Sequence, residues 1–536
     1  MNRDSNLKFI DEKTMATTGF TRYMDELNLR SSPGKSRILN PEFFIHGDED
    51  KLRTHHRLIE FIEKNIFSSP EQKIRLLASL ENIRETSLIY KQIESWGAVE
   101  LSHLYRIISG MISLIELFED CSDSVTPEPS VWTEANKTIR CCISGGLFKI
   151  PSDLNSRRLN LTRELQKLTK NFRESEQRYR HETSGLINLS PTDLRLDLAV
   201  GFENKILREK LEKSERFVVI EETAGFSRYR MKLSKELNTV SRKIDLLQSE
   251  LSLMDSIFVT ELSLSLYQIL IKNYEDCLSW VGKIDLCCAQ LEWAIQNNCF
   301  IPELSKEREL RIKDGCHPFI KRTVEISGGF YYPVTTIFDE PIVSVSGVNM
   351  GGKSSFLRTI GLMQCLFQFG APVPAKEYSS SLFSHIAWQG SHPDDSERGL
   401  SSFGVEITEL VRSLERSKSL YLFDEFARST DVETAQALTW GLFQYFRARS
   451  EDLVIFAGHL HMVGSWPGIT SLRAGMLKKD SNELLKSGNI LKNLNNLIDY
   501  SISLWENHHD SDAIVIARAL GLNEEIIYSA SEFAKN

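Results

Sequence analysis

The sequence predicts an α + α/β protein, a helical half followed by an α/β half, and three observations predict it. Residues 1–300 are poor in Gly and Pro and rich in helix formers, with one sustained heptad seam. From about residue 309 onward, short apolar runs alternate with Gly turns and helix-length stretches. Near the head of that second half stands "SGVNMGGKSSF", Ser346 to Phe356, a glycine loop carrying a lysine and hydroxyls between an apolar run and a helical stretch.

Length and composition bound what this fold can be. At 536 residues the chain is too long for one core, and about three or four domains are expected. Hydrophobic content of 41% and charge of 26% are ordinary for soluble globular proteins. No run of about 18 apolar residues stands out, so no membrane span is expected. The N-terminus, "MNRDSNLKFIDEK", has no apolar core of a secretory signal. The nine Cys are scattered, with no C-x-x-C to indicate a zinc or redox site. They read as buried thiols of a reducing, cytoplasmic protein. A net charge of −9 gives nucleic-acid binding no support, but leaves room for a local basic face.

In the helical half, residues 1–200 read as the first part of a helical core. Residues 201–232 break the pattern. "ERFVVIEETAGFSRYRMK" is rich in β-branched and aromatic residues around Ala224 and Gly225, which predicts a short strand pair or an extended tip. Residues 233–308 read as a long helix and its return. Leu233, Leu237, Val240, Ile244, Leu247, Leu251, Met254 and Phe258 alternate steps of four and three, a heptad seam. Such a helix packs on a helical domain or acts as a lever arm. The stretch Arg157 to Arg180 is basic, which more often marks a solvated helix face than a nucleic-acid surface.

In the α/β half, Gly347, Gly352, Lys353 and Ser354 fit G-x-x-x-x-G-K-S/T, the phosphate-binding loop. Its N–H groups and the following helix N-terminus favour an anion. Lys353 would reach the β- and γ-phosphates, and Ser354 would ligate Mg²⁺. Gly347, Asn349, Met350, Gly351, Gly352 and Ser355 complete the loop. "SLYLFDE" reads as a buried strand ending in Asp424 and Glu425, and ligands bind at such carboxyl ends of parallel strands. Asp424 would support the metal, and Glu425 would orient and deprotonate the attacking water. "DLVIFAGH" reads as a further strand with His459 at its end.

Together these segments resemble the MutS family of ATPases, a branch of the ABC-type fold. The likeness is strongest in "GVNMGGKSSFLRTIGLMQCLFQFGAPVPA". "DDSERGLSSFGVEITEL" resembles the family's segment with a Ser before Phe-x-Val-Glu. "LFDEFARST" resembles its acid-pair strand end, and "FAGHLH" its switch histidine. "DAIVIARALGLNEEII" is similar to the helix–turn–helix that closes the family's ATPase domain, "LRIKDGCHPFI" to the entry of that domain, and "DELNLRSSPGKSRILNPEFF" to the start of the helical core.

The resemblance implies an ABC-type P-loop ATPase domain over residues 309–536, a helical lever and core domain before it, and a reduced clamp at 201–232. It implies ATP and Mg²⁺ as cofactors, a homodimer, His459 as sensor of the γ-phosphate, and Ser401 reaching across the dimer to the partner's nucleotide. Tyr331 or Tyr332 is the candidate for stacking on adenine.

Two departures stand out. Full mismatch-repair members carry two more N-terminal domains, one with a Phe-x-Glu wedge. This sequence begins where the helical core would begin, so mismatch reading is not expected of it. Phe61-Ile62-Glu63 and Phe172-Arg173-Glu174 match the tripeptide but sit in helical stretches. The family's usual Gly-Arg-Gly-Thr after the acid pair is here Ala427-Arg428-Ser429-Thr430. Two clients of the levers stay open at this point. One is double-stranded DNA, branched, damaged or otherwise related to mismatch repair. The other is a protein client with a second reactivase subunit, as in reactivating factors of cobalamin-dependent aminomutases.

Overall fold

The computed structural model describes residues 9–533 except 85, 91, 94–95, 122–125, 188–194, 200–203, 348–350, 391–401, 429, 459–467, 478–497, 505–513, 515–516 and 519–520. The chain forms two compact units. One comprises residues 85–112 and 128–275, and the other 1–84, 113–127 and 276–536.

In the first unit, helix α1 (Ser156–Ile187) leads to a three-stranded antiparallel sheet of β1 (Arg195–Ala199), β2 (Phe217–Glu222) and β3 (Phe226–Met231), in the order β1-β3-β2. The tip expected from sequence is therefore a small sheet. It is closed on one side by Leu211, Phe217, Tyr229 and Met231. Helix α2 (Lys235–Leu270) follows, capped by Ser234, whose hydroxyl accepts from the Leu237 amide at 3.1 Å. Leu233 lies before the cap and packs with the sheet's apolar cluster, so the seam proper begins at Leu237.

Along α2, Leu237 and Ile244 are buried and Val240, Leu247, Leu251, Met254 and Phe258 half-buried, one continuous face. Lys243 pairs with Glu164 of α1 at 2.8 Å, and Arg158 of α1 with Asp255 at 2.7 Å. Part of the basic stretch Arg157–Arg180 is thus spent on ion pairs within the helix pair.

Two helical stretches, Ala98–Leu117 and Lys235–Asn297, are long and apolar enough by length and composition to cross a membrane. Neither is an unbroken apolar run of the kind sought in the sequence. Their apolar residues are interleaved with Ser, Thr and Gln, which hides the average from a search for unbroken runs. In the first stretch Leu101, Leu104, Ile107, Ile108, Met111 and Leu114 are fully buried, as in a core helix.

The second unit holds a six-stranded sheet. Its elements are β4 (Ile342–Ser346), α3 (Lys353–Gln368), β5 (His385–Gly390), α4 (Ser402–Leu414), β6 (Ser419–Asp424), α5 (Val432–Arg447), β7 (Leu453–Ala457), β8 (Thr470–Leu477) and β9 (Ile498–Leu504). The strand order is β5-β6-β7-β4-β8-β9. Every neighbouring pair is parallel except β8 and β9. Strands β4, β5 and β7 are buried along their whole length, which fits their largely apolar composition, unbroken in β7 and interrupted by Ser344 and Ser346 in β4 and by His385 and Gln389 in β5.

Helix α3 is also wrapped in protein. Phe356, Leu357, Ile360, Met363 and Leu366 are fully or nearly fully buried. Its polar Gln364 and Gln368 are buried too, and bond one another at 2.8 Å. The Gln368 amide nitrogen also donates to the Phe44 and Phe383 carbonyls at 2.8 Å, so α3 carries no unsatisfied amide into the core. The N-terminal helix Glu12–Thr18 packs on α3, where a Cβ on Gly361 would lie 2.5 Å from Thr18. Ile10 bridges to Ile386 of β5.

Candidate active site

Register across the sheet brings separate loops to one edge. Val345 of β4 pairs with Ala457 of β7, Ala457 with Asp424 of β6, and Asp424 with Gly390 of β5. The four residues form a row across the carboxyl ends of four parallel strands. The segments that leave the row are the glycine loop, the acid pair, the segment entering His459 and the segment entering Ser401. That is where an open parallel sheet holds its ligands.

The glycine loop is shaped by close approach. Gly347 has φ +146°, and a Cβ there would stand 1.9 Å from the Ala474 carbonyl oxygen of β8. Gly475, the next residue of β8 and one with no motif to mark it, touches the loop at a second point. A Cβ on it would meet Gly351 Cα at 2.6 Å. Gly352 precedes α3 as its cap residue, so the first amide groups of a sixteen-residue helix face the loop.

Lys353 is buried, and its Nζ donates to the Gly347 carbonyl at 2.9 Å. Burial lowers the Lys353 pKa, opposed by the Glu425 and Asp424 carboxylates. Ser354 Oγ donates to Asp424 Oδ1 at 2.9 Å. Burial raises the Asp424 pKa. The Ser354 hydrogen bond opposes this, and the neighbouring Glu425 charge adds to it. This donor set fits a magnesium–phosphate group. A buried ammonium and a helix N-terminus suit the anion, and a hydroxyl touching a carboxylate suits a hard divalent cation.

The acid pair ends in an unusual turn. Glu425 has φ +53° and Ala427 φ +57°, both left-handed without being glycine. Each such residue costs on the order of 1–3 kcal/mol and persists only when its surroundings hold it. The Glu425 amide donates to the Ala457 carbonyl at 2.8 Å, and the Ala427 amide to Glu406 Oε1 at 3.1 Å. Glu425 Oε2 accepts from Arg428 Nη1 at 2.8 Å. The departure from the family's usual glycine at position 427 therefore falls on a residue whose backbone favours glycine.

A cavity of about 310 Å³ opens beside the loop, lined by Phe330, Tyr332, Gly352, Ser355, Tyr500 and Ile502 among others. Both tyrosine candidates, Tyr331 and Tyr332, line it, but they are held differently. Tyr331 is tied down, because its hydroxyl accepts from the His317 amide at 2.8 Å and burial pushes its pKa to about 12. The Tyr332 ring stands 5.0 Å from Phe330 and 6.0 Å from Tyr500, so it belongs to an aromatic wall. Sequence reasoning missed Phe330 and Tyr500. The run "FYYP" was the available signal for the first, and nothing local marks the second.

Of the residues singled out in the sequence, Gly347, Gly351, Gly352, Lys353, Ser354, Ser355, Asp424 and Glu425 converge here. Asn349, Met350, Ser401 and His459 lie outside the described residues.

A mixed α/β unit whose parallel sheet presents a glycine loop, a buried lysine and an acid pair at one edge is the class of protein defined so far. Residues 343–536 match the family MutS domain V. The chain is 26% identical over 432 residues to the DNA mismatch repair protein MutS of Clostridium novyi, covering 78% of this chain and 45% of that one. It is 26% identical over 358 residues to the MutS of Leptospira interrogans, covering 64% and 40%. It is 30% identical over 259 residues to the MutS of Synechococcus elongatus, covering 47% and 28%. Over residues 343–536 and along these aligned stretches the chain is similar to the MutS family. It spans less than half the length of these relatives.

Proposed function

We propose that this chain binds and hydrolyses ATP at the β4–α3 loop, and that the hydrolysis drives a dimer acting on DNA. The observation that carries the reading is the 2.9 Å contact between Ser354 and Asp424 beside the buried Lys353. It joins the loop to the strand end as a metal–phosphate site requires.

In this reading Lys353 neutralises the β- and γ-phosphates, and Gly347, Asn349, Met350, Gly351, Gly352 and Ser355 offer the loop backbone. Ser354 and Asp424 hold Mg²⁺, which when bound offsets charge on the phosphates. Glu425 takes the proton of the attacking water. Tyr332, with Phe330 and Tyr500, receives the adenine. His459 faces the γ-phosphate, and Ser401 reaches the nucleotide of a partner subunit.

The relatives reported above are named for DNA mismatch repair, which favours DNA as the client. They lend no support to a protein client with a reactivase partner. Binding would run through phosphate contacts, blind to base sequence. The β1–β3–β2 sheet and α1 are the candidate surfaces.

Steady-state hydrolysis with ATP and Mg²⁺ tests the chemistry. Glu425→Gln should keep nucleotide binding and lose at least about 100-fold in kcat. Lys353→Ala should weaken nucleotide binding itself by about tenfold or more. Wild-type turnover in Glu425→Gln would overturn the assignment.

A further inference from the structure

The turn after the acid pair carries an anchor that the reaction scheme above leaves unused. Glu406 lies on α4, and its carboxylate is buried at 5% exposure. The Ala427 amide donates to it at 3.1 Å. Ala427 is itself fully buried and left-handed at φ +57°, two residues beyond Glu425 at φ +53°. A side chain at φ > 0 is disfavoured unless neighbours impose the conformation. On the other side of the turn, the Glu425 amide is held by the Ala457 carbonyl. The turn is thus pinned at two amides, one by a β7 carbonyl and one by a side chain from α4.

We propose that Glu406 is a positioning residue for hydrolysis: by holding the Ala427 amide it keeps the left-handed turn formed, and so keeps the Glu425 carboxylate aimed at the site. This inference rests on the reading of Glu425 as the base. It deepens that reading by assigning a control to the same site. The bond also makes α4 part of the catalytic unit. Helix α4 begins directly after residues 391–401, which carry Ser401, and Lys13 ties it from outside through Glu409 at 2.7 Å. A shift of α4 along its axis withdraws the acceptor from Ala427 and releases the turn. Helix position is thereby converted into turnover, while the loop that holds nucleotide is untouched.

Ala427 is the reason the anchor matters in this chain. A glycine there would reach the left-handed region unaided, whereas alanine returns to the right-handed or extended regions when the acceptor is lost.

The test compares wild type, Glu406→Ala, Glu406→Gln, Ala427→Gly and the double variant Glu406→Ala/Ala427→Gly, by kcat, KM, nucleotide affinity and melting temperature. Glu406→Ala should lower kcat about tenfold or more with nucleotide affinity within about twofold, which a general loss of packing would not produce. Glu406→Gln should retain most of kcat, because the amide oxygen accepts the same bond. Ala427→Gly should restore part of kcat in the Glu406→Ala background. Wild-type kcat in Glu406→Ala overturns the proposal. So does an equal loss in Glu406→Ala and Glu406→Gln without rescue by Ala427→Gly. If Glu425→Gln hydrolyses normally, the base assignment falls and this proposal falls with it, so the two failures are told apart by which variant keeps its turnover.

Discussion

Arg428 Nη1 sits 2.8 Å from Glu425 Oε2, with the guanidinium side chain 74% exposed and the carboxylate 29%. The pair binds the proposed base to an exposed surface cation. An exposed ion pair of this kind contributes about 0–1 kcal/mol to stability, so its effect should fall on turnover. Arg428→Ala should leave the melting temperature unchanged within about 1 °C and raise basal kcat by about two- to threefold. Side-by-side melting curves and steady-state rates check this. A lower kcat would show that the cation assists the base.

Asp424 illustrates a site that costs stability. Burial raises its pKa, so the folded chain binds this proton more tightly than the unfolded chain does. Stability from the protonated form is complete at low pH and is lost as pH rises through the folded pKa. At neutral pH the charge is therefore a burden on the nucleotide-free protein. Asp424→Asn should raise the melting temperature by about 2 °C at pH 7.5, and the gain should vanish under acid conditions. Hydrolysis should be lost. A lower melting temperature at pH 7.5 would contradict this account.

Four histidines of the sheet-bearing unit give the opposite pH dependence. Burial lowers the His55 pKa to about 3, and those of His56, His317 and His385 to about 4. Each is bound neutral in the fold and takes up a proton on unfolding once the pH drops below its ordinary value of about 6.5. Stability should be full above that pH and fall steadily towards pH 4. His56 makes the sharpest test, since its Nε2 has no hydrogen-bond partner among the described residues. His56→Phe should stabilise by about 1 kcal/mol and flatten the melting temperature between pH 6.5 and 5. An unchanged slope would remove His56 from the account.

On the small sheet, Arg228 is already held by Asp197 at 2.6 Å and by Glu221. Arg230, on the same strand, is exposed. The two arginines should therefore differ on DNA. Arg230→Glu should weaken duplex binding several-fold for matched, mismatched and branched DNA alike, and Arg228→Ala much less. Affinity should fall steeply with salt. Competition binding at two salt concentrations decides it, and a mismatch preference of about tenfold, some 1.4 kcal/mol, would refute phosphate-only contact.

The parallel strands were legible because strands buried on both faces are largely apolar, as in Leu420–Phe423 and, with Ser344 as its one polar residue, Ile342–Val345. The loop was legible because Gly347 and Lys353 answer to a local geometry. The seam of α2 was legible from its period, though Ser234 and not Leu233 sets its start. The wall made by Tyr332 and Tyr500 was hidden, because it joins residues from distant parts of the chain. Glu406 was hidden for a related reason. An acid on an apolar helix face looks like an exposed residue until the strained amide it serves is in view.

The bridge from Ile10 to Ile386, with the Glu12–Thr18 helix against α3, sets a timetable for biosynthesis. Phe20 and Tyr23, fully buried in the finished protein, leave the ribosome hundreds of residues ahead of the strands and helix that cover them. The intervening unit has all its own residues early and can fold at once, since domains fold as units in order of emergence. The amino-terminal segment must wait, its aromatic face uncovered, until α3 and β5 arrive. A product truncated before residue 353 should therefore hold that folded unit and leave Phe20 and Tyr23 uncovered, and chaperone binding should concentrate on the segment around them.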